Sequence, residues 1–438
     1  MNFALIIVLL VFLFAIYFLN GRRILSISLI ANSAFLLSAI VFACFKEYFS
    51  YTISINTLLI IVVTIISLFV GERMCYSLAI GKSKTKNNTF TALPTYFSFK
   101  KELVVVVGIL SILFAVISYY QLYQKSLVYG NPEDIFKAVA YTREVALAST
   151  NSSTPFYTYL NIAFQGFSYI CLFIFLYNSL FFSKREYVLF LPMIGTCIYQ
   201  ITTTERIGFI RIVVVFVIIY AILAKIKSNW GHKYDRKIIL YAVIGLLIFM
   251  VVFFLLGALS NRLNIVLWKN SLANYLGAPI LGLDSYIEHS WETNQVFGQH
   301  VFRDVYELCN IAGANIPLGD AFLPFYKWGS SYSSNVYTSI ASPLHDFGIA
   351  GFVLSRLIIG FAYGFIVKKV ECISDAKTSF LKIIFVALFM YPVSMSAISD
   401  SFMFFVQLPT IYLFIAMIVF SFVLKNRPHT KNVKKYAS

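Results

Sequence analysis

Long apolar stretches, separated by shorter polar segments, follow one another along almost the whole chain. Each holds roughly 18 or more residues with few charges, which is the length that an α-helix needs to cross a hydrocarbon core about 30 Å thick. The pattern predicts an all-α polytopic membrane protein with about eleven transmembrane helices, within a range of about ten to twelve. The expected spans are 3–19, 24–44, 53–71, 103–122, 157–182, 187–202, 208–224, 238–259, 347–367, 380–398 and 402–424.

The composition supports this class and accounts for the charge. Of the 438 residues, 59% are hydrophobic and 12% are charged, whereas soluble domains are about one quarter charged. A net charge of +16 would suit a nucleic acid, but one predicted face holds 23 lysines and arginines and the other holds 9. Basic loops of membrane proteins are cytoplasmic. We therefore expect no nucleic-acid partner, an external amino terminus, and a first helix that is retained rather than cleaved.

Two segments of the outer face are longer than ordinary connections. They cover 123–156 and 260–346, and we interpret the chain as a single membrane domain, 1–438, with an elaborated outer face. We expect the larger segment to fold into a cap that carries short helices, because apolar residues recur in it at helical spacing. These positions are Val296, Val301, Val305 and Leu308. On the opposite face, 81–88 is typical of a solvated flexible turn.

Charged residues open the seventh predicted span, in the sequence TERIGFIR that contains Glu205, Arg206 and Arg211. An arginine at the centre of a span costs about 2.5–3.5 kcal/mol on insertion. Either the Arg211 side chain extends to the lipid headgroups, or it binds a lipid pyrophosphate, because a guanidinium matches phosphate oxygens and keeps its charge. Arg206 is five residues away, so the two side chains diverge by about 140° and would flank a site.

Three further arginines lie on the outer face. Arg262 follows the eighth span, Arg143 lies in the smaller loop and Arg303 lies in the larger one. Each alone is compatible with an ordinary surface residue. Together they would form a basic patch that suits an anionic lipid-linked substrate.

The most distinctive segment, 334–351, leads into the ninth span. It contains the adjacent residues His345 and Asp346, either of which can act as a general base. The alternative is that Asp346 caps the following helix and that His345 is an interface residue. Neighbours in sequence point in different directions on a helix, so we do not expect these two to act as a relay.

Glycines surround the start of the ninth span. We expect Gly348 and Gly351 to let backbones approach one another there, and Gly360 and Gly364 form a GxxxG pattern that indicates helix packing. The six cysteines are scattered and form no CxxC motif, so they indicate neither a disulfide framework nor a metal site.

Three short segments resemble the Wzy-type oligosaccharide repeat-unit (O-antigen) polymerases. NVYT at 335–338 followed by HDFGIAG at 345–351 is similar to the carboxyl-terminal signature of that family. TERIGFIR at 204–211 resembles the family's arginine-glycine start of a middle span. NYLGAPI at 274–280 resembles the opening of its large periplasmic loop.

The resemblance implies a GT-C-like glycosyltransferase of the bacterial inner membrane, with its active site facing the periplasm and with no nucleotide sugar, metal or other cofactor. The donor would be a growing glycan on undecaprenyl pyrophosphate. The acceptor would be one lipid-linked repeat unit, whose hydroxyl attacks the anomeric carbon of the donor. The product would be O-antigen or capsular polysaccharide, and the partners would be membrane lipids and a chain-length regulator protein.

This chemistry needs cations on the leaving pyrophosphate and a base near the attacking hydroxyl. The outer arginines would supply the cations. The candidates for the base are Asp346, His345 and Glu205, and we favour Asp346 because a carboxylate is ionised near neutral pH without tuning. Asn335 and Tyr337 lie within the matching signature and are candidate substrate ligands.

Two other functions compete with the polymerase. An O-antigen ligase shares the chemistry, but ligases carry a histidine about eleven residues before the first glycine of their G-x-x-G, and Tyr337 stands at that position here. A flippase for lipid-linked oligosaccharides would need a charged central cavity open to both sides, whereas the charge lies at the outer face. The absence of an early Asp-x-Asp weakens GT-C enzymes that use polyprenyl-phosphate sugars.

Overall fold

The computed structural model describes residues 1–79, 94–132, 138, 141, 156–202, 206–259, 272–292, 295–319, 323–328 and 332–424. The turn predicted at 81–88 and most of the loop at 123–156 lie outside these residues. The α-helices are α1 (Asn2–Leu19), α2 (Ile27–Cys44), α3 (Lys46–Phe49), α4 (Ile55–Ala79), α5 (Lys101–Ser126), α6 (Phe156–Phe182), α7 (Leu191–Thr202), α8 (Arg206–Lys227), α9 (Asp235–Leu259), α10 (Ala278–Glu288), α11 (Arg303–Ile311), α12 (Ala341–Glu371), α13 (Phe380–Ser394) and α14 (Leu408–Leu424). Short 3₁₀-helices lie at Leu127–Tyr129, Tyr187–Phe190 and Phe404–Val406, and a π-helical turn lies at Ala273–Gly277.

Among the described residues, seven helices are long and apolar enough to cross a membrane: α1, α2, α4, α5, α6, α8 and α12. Shorter apolar helices lie at Tyr187–Thr202, Phe380–Ser394 and Leu408–Leu424. A helix satisfies its backbone hydrogen bonds internally, as hydrocarbon requires. The chain is therefore an α-helical polytopic membrane protein, as the sequence predicts. Each expected span contains a helix, and the total of eleven crossings stays a prediction.

The loops predicted for the basic face meet at one end of the helix bundle. The Arg23 guanidinium pairs with the Glu371 carboxylate at 3.5 Å, and Lys377 Nζ donates to the carbonyl of Tyr96 at 2.8 Å. These contacts bring three of the loops predicted for the basic face to the same end, and the alternation of all the predicted spans stays a prediction. We call this the basic end, and the side of the membrane that it faces stays a prediction.

The opposite end carries the cap, which we define as the described residues between 272 and 347. It contains α10, α11 and two short antiparallel strands, β1 (Tyr326–Trp328) and β2 (Tyr332–Ser334). Short helices are present, as expected. Val305 and Leu308 lie on α11, but Val296 and Val301 lie in the turns before it. The helical spacing fails there because the chain turns at Gly298, whose φ is +65°.

Asp284 on α10 anchors the cap to the membrane helices. Its carboxylate is fully buried and accepts hydrogen bonds from Tyr51 Oη (2.7 Å), Ser54 N (2.9 Å), Ser54 Oγ (2.6 Å) and Thr57 Oγ1. A buried carboxylate loses its hydration, and only donors of this kind compensate for the loss. The bonds tie α10 to the first turn of α4 and to the loop that precedes it.

Replacing Asp284 with alanine is expected to lower the free energy of unfolding by about 2–4 kcal/mol, because several buried donors lose their acceptor. Thermal unfolding of the purified protein in detergent micelles, together with protease cleavage in the cap, measures the effect. The matched control is His289→Ala, which removes an exposed side chain directly after the same helix. Equal unfolding temperatures for the two variants would contradict the anchoring role.

Helix α12 shows two different uses of glycine. A Cβ atom on Gly360 would lie 2.3 Å from the carbonyl oxygen of Leu68, and one on Gly364 would lie 3.3 Å from Glu72 Cα, so the predicted packing role of GxxxG is confirmed against α4. Gly348 differs, because nothing lies within 4 Å of a Cβ placed there. The expected close backbone approach at Gly348 is wrong. Its φ of +63° interrupts the helix, and glycine adopts that conformation without steric cost.

Candidate functional site

The break at Gly348 divides α12 into a short cap segment and a long apolar segment. His345 and Asp346 lie in the last turn of the cap segment, directly before the break. The turn that leads into α11 faces these two residues, and His300 lies in this turn. The structure thus brings His345 and Asp346 together with a histidine that the sequence analysis did not select.

The Asp346 carboxylate holds His300 in place. Its Oδ2 accepts hydrogen bonds from the backbone N–H groups of His300 (3.0 Å) and Val301 (2.7 Å), and its Oδ1 lies 3.0 Å from His300 Nδ1. The Asp346 side chain is completely buried, while 16% of the His300 side chain is exposed. Beside an ionised carboxylate, Nδ1 of a neutral imidazole carries the proton, so Nε2 is left as an acceptor. The alternative, in which Asp346 caps the following helix, stays a prediction, and it does not by itself account for these bonds to another segment.

Aromatic rings surround the two imidazoles. The Trp291 ring centroid lies 5.2 Å from that of His300 and 5.1 Å from that of His345. Tyr286 packs on Trp291 at 4.9 Å, and the two imidazole centroids are 5.1 Å apart. Such rings present flat apolar faces beside polar groups. A surface of this kind is suited to pack against a sugar ring. We call His300, His345, Asp346 and Trp291 the imidazole cluster.

Tyr337, one of the two predicted substrate ligands of the signature, lies beside this cluster. The Tyr337 ring packs on Trp291 at 5.1 Å, and its hydroxyl donates to the carbonyl of Pro324 at 2.8 Å. Burial raises the pKa of Tyr337 to about 12, so the hydroxyl stays protonated as a donor. Asn335 is half-buried in the connection between β2 and α12. Tyr337 thus supports the wall of the cluster, and its role as a ligand stays a prediction.

Arg356 lies inside the bundle, two turns beyond Gly348, and is fully buried. Its Nη2 donates to the carbonyl of Ser339, whereas Nε and Nη1 have no hydrogen-bond partner among the described residues. The guanidinium carbon lies 5.5 Å from the Phe352 ring centroid and 5.3 Å from that of Phe402. A buried guanidinium with unused donors is costly in hydrocarbon, which makes it a candidate for binding an anion.

Arg211 on α8 also points into the protein. Its guanidinium carbon lies 5.1 Å from the Tyr391 ring centroid and 5.3 Å from that of Phe404, and its buried Nε has no partner in the described part of the chain. These contacts favour an inward role over extension to the lipid headgroups. Arg211 and Arg356 therefore both contact the stretch 391–404, which comprises the end of α13 and most of its connection to α14.

Asp400 lies within electrostatic range of both Arg356 and the Asp346 of the imidazole cluster. It lies in the same connection, within reach of the charges of Arg356, Asp346 and Asp304. Burial raises the pKa of Asp400, the Arg356 guanidinium acts in the opposite direction, and the two other carboxylates raise it further. Helix α11 is held to this region as well, because Gln407 Nε2 donates to Asp304 Oδ2 at 2.9 Å. The cap that carries the cluster and the buried Arg356 thus both contact the connection between α13 and α14.

The remaining predicted residues are distributed as follows. Arg303 contacts its own neighbourhood, with Nη1 at 3.6 Å from Glu307 Oε2 and Nε donating to the carbonyl of Gly319 at 3.3 Å. Arg206 is the first residue of α8. Three candidates lie outside the described residues: Glu205, Arg262 and Arg143. Their roles stay predictions.

A separate cavity of about 460 Å³ opens at the basic end, between the loop after α1 and the loop after α8. Its lining includes Arg23, Lys225, Trp230 and Glu371. Two of its cations are already paired, Arg23 with Glu371 and Lys225 with Asp235. The cavity shares no residue with the imidazole cluster.

Comparisons with protein-family models, with curated proteins and with solved structures find no match to this chain.

Proposed function

We propose that this protein is a Wzy-type polysaccharide polymerase, which joins undecaprenyl-pyrophosphate-linked oligosaccharide repeat units at the periplasmic face of the bacterial inner membrane. One observation carries the proposal. An imidazole oriented by a buried carboxylate packs against Trp291, above a bundle in which the buried Arg356 and the half-buried Arg211 retain unused donors in the described part of the chain.

In the proposed reaction, a hydroxyl of the acceptor repeat unit attacks the anomeric carbon of the donor glycan. The bond from that carbon to the pyrophosphate oxygen breaks, and undecaprenyl pyrophosphate leaves with the electron pair. The hydroxyl proton passes to a base. We assign this role to His300 Nε2, because the Asp346 oxygens already accept three N–H groups and Asp346 orients the imidazole. The base thus moves from Asp346, which the sequence favours, to its partner.

The leaving group needs positive charge. Pyrophosphate gains negative charge as the glycosidic bond breaks, and donors that are already in place stabilise this change most effectively. Arg356 and Arg211 carry N–H groups without partners in the described part of the chain, and a guanidinium binds phosphate oxygens through two parallel hydrogen bonds. We assign the pyrophosphate to these two arginines, with Arg206 and Arg262 as the further cations that the sequence predicts.

The position of the charges favours this function over a flippase. The imidazole cluster lies in the cap, Arg356 and Arg211 lie in the bundle and contact the segment 391–404, and the charged cavity at the basic end shares no residue with either group. An elaborate folded cap also suits recognition of a glycan, because loops on a rigid scaffold commonly carry function. A ligase would use the same chemistry on a different acceptor.

Purified protein in liposomes, supplied only with lipid-linked repeat units, is expected to form a ladder of longer lipid-linked glycans. No nucleotide sugar is added. Gel analysis of the released glycans measures the product lengths. Transfer only to lipid A–core added in a parallel reaction would identify a ligase, and movement of the substrate between leaflets without elongation would identify a flippase.

A further inference from the structure

We propose that His300, His345 and Asp346 form a binding site for a divalent transition-metal ion of the zinc class. Each residue offers one ligand atom, and the three atoms lie within 4.8 Å of one another. The sequence indicates no metal site, because the ligands come from two segments that lie far apart in the chain and only the folded cap brings them together.

The ligand set selects the class of ion. Two imidazole nitrogens and one carboxylate oxygen are typical zinc ligands, whereas calcium and magnesium prefer oxygen alone. With metal–nitrogen bonds of about 2.0–2.1 Å, neighbouring ligand atoms of a tetrahedral site lie about 3.3 Å apart. His300 Nδ1 and Asp346 Oδ1 are already 3.0 Å apart, so a modest movement of His345 completes the set.

The surroundings are suited to hold the carboxylate as a ligand. Asp346 Oδ2 accepts two backbone N–H groups, which fixes the carboxylate and directs Oδ1 toward His300. Outer hydrogen bonds of this kind orient metal ligands and contribute to affinity. The half-buried imidazoles leave a path from the surface, and three protein ligands leave a fourth position for water.

Binding of the ion does not depend on the proposed function, but one consequence does. A ligated His300 has lost the hydrogen bond to Asp346 that orients it as a base, and the bound ion places a positive charge in the cluster. We therefore expect zinc to inhibit glycan polymerisation, and removal of zinc by a chelator to restore it.

The experiment uses the full chain, purified through a tag without histidines, in detergent micelles. Zinc chloride is titrated by calorimetry, and cobalt chloride is followed by its visible absorption. One ion per chain is expected. His300→Gln and His345→Gln are each expected to weaken binding at least about tenfold, while His289→Gln, an exposed histidine of the cap, leaves it unchanged. His345→Cys retains a ligand and is expected to bind, which separates loss of the ligand from loss of the fold.

Absence of saturable binding in the unaltered protein would overturn the proposal, as would a His300→Gln/His345→Gln double variant that binds zinc as tightly as the unaltered protein. The inhibition is measured separately in the liposome reaction. Binding without inhibition would leave the metal site intact and would contradict the assignment of His300 as the base.

Discussion

Replacement of His300 with glutamine is expected to lower the rate of glycan polymerisation by about 10²–10⁴-fold, the usual contribution of a positioned base. Glutamine keeps a similar volume and a polar end, so the cap is expected to stay folded. The rate is measured in the liposome reaction with lipid-linked repeat units, and protein abundance and unfolding temperature are measured in parallel. Asp346→Asn is expected to lose activity as well, because the single amide oxygen is needed by the two backbone N–H groups. The NH2 group then faces Nδ1 and favours the tautomer that carries its proton on Nε2.

The control for this prediction is His289→Gln, which removes an exposed histidine from the same cap and is expected to leave the rate unchanged. The pair of site variants distinguishes the two candidate bases. An active His300→Gln enzyme alongside an inactive Asp346→Asn enzyme would contradict the assignment of His300 and return the role to Asp346.

Replacement of Arg356 with methionine is expected to reduce polymerisation by about 10²–10³-fold, which is the usual effect of removing one donor from a developing oxyanion. The protein is expected to remain folded, because burial already raises the pKa of Asp400 and this carboxyl can become neutral once the guanidinium is removed. Arg356→Lys is expected to recover little activity, since a point charge cannot form the two parallel hydrogen bonds of a guanidinium. Polymerisation and unfolding temperature are measured on the same preparations.

Lys369→Met provides the matched control, because Lys369 is an exposed cation at the opposite end of the same helix. It is expected to retain full activity. Near-normal polymer from a folded Arg356→Met protein would show that Arg356 serves packing, and the pyrophosphate would then have to be bound by Arg211 and the loop arginines.

The membrane class and the helices follow from the sequence because they are local properties. An apolar run such as Asn2–Leu19 forms a helix wherever it meets hydrocarbon, and its length sets the span. The sorting of basic loops to one end is also readable from composition. The start of the ninth span was less predictable, because the break at Gly348 depends on a positive φ that carries no hydropathy signal.

The site was predictable only in part. His345 and Asp346 stand out as adjacent groups with suitable chemistry, but their partner His300 lies 46 residues before Asp346 and meets it only through the folded cap. One available signal was that three of the five histidines fall within 260–346. Asp284, in the same segment, gave no signal at all, because its donors come from the loop before α4.

Arg356 shows a different kind of omission. It lies near the middle of the ninth predicted span, where an arginine is most costly, and it is fully buried there. The free-energy cost of inserting an arginine is higher at this position than at Arg211, which lies near the end of its span. By this criterion Arg356 is the stronger candidate for a functional residue. Arg211 was selected because it lies in the segment 204–211 that resembles the family. The structure adds Arg356 as a second candidate for binding an anion.

The most direct test of the proposed function is the glycan carried by the surface of a strain that lacks this protein. Lipopolysaccharide is extracted and its length distribution is resolved by gel electrophoresis and mass spectrometry. A polymerase predicts lipid A–core capped with a single repeat unit, and restoration of the long ladder by the unaltered gene but not by the His300→Gln variant. Bare lipid A–core in the deletion strain would contradict the account, because that product marks the loss of a ligase or a flippase.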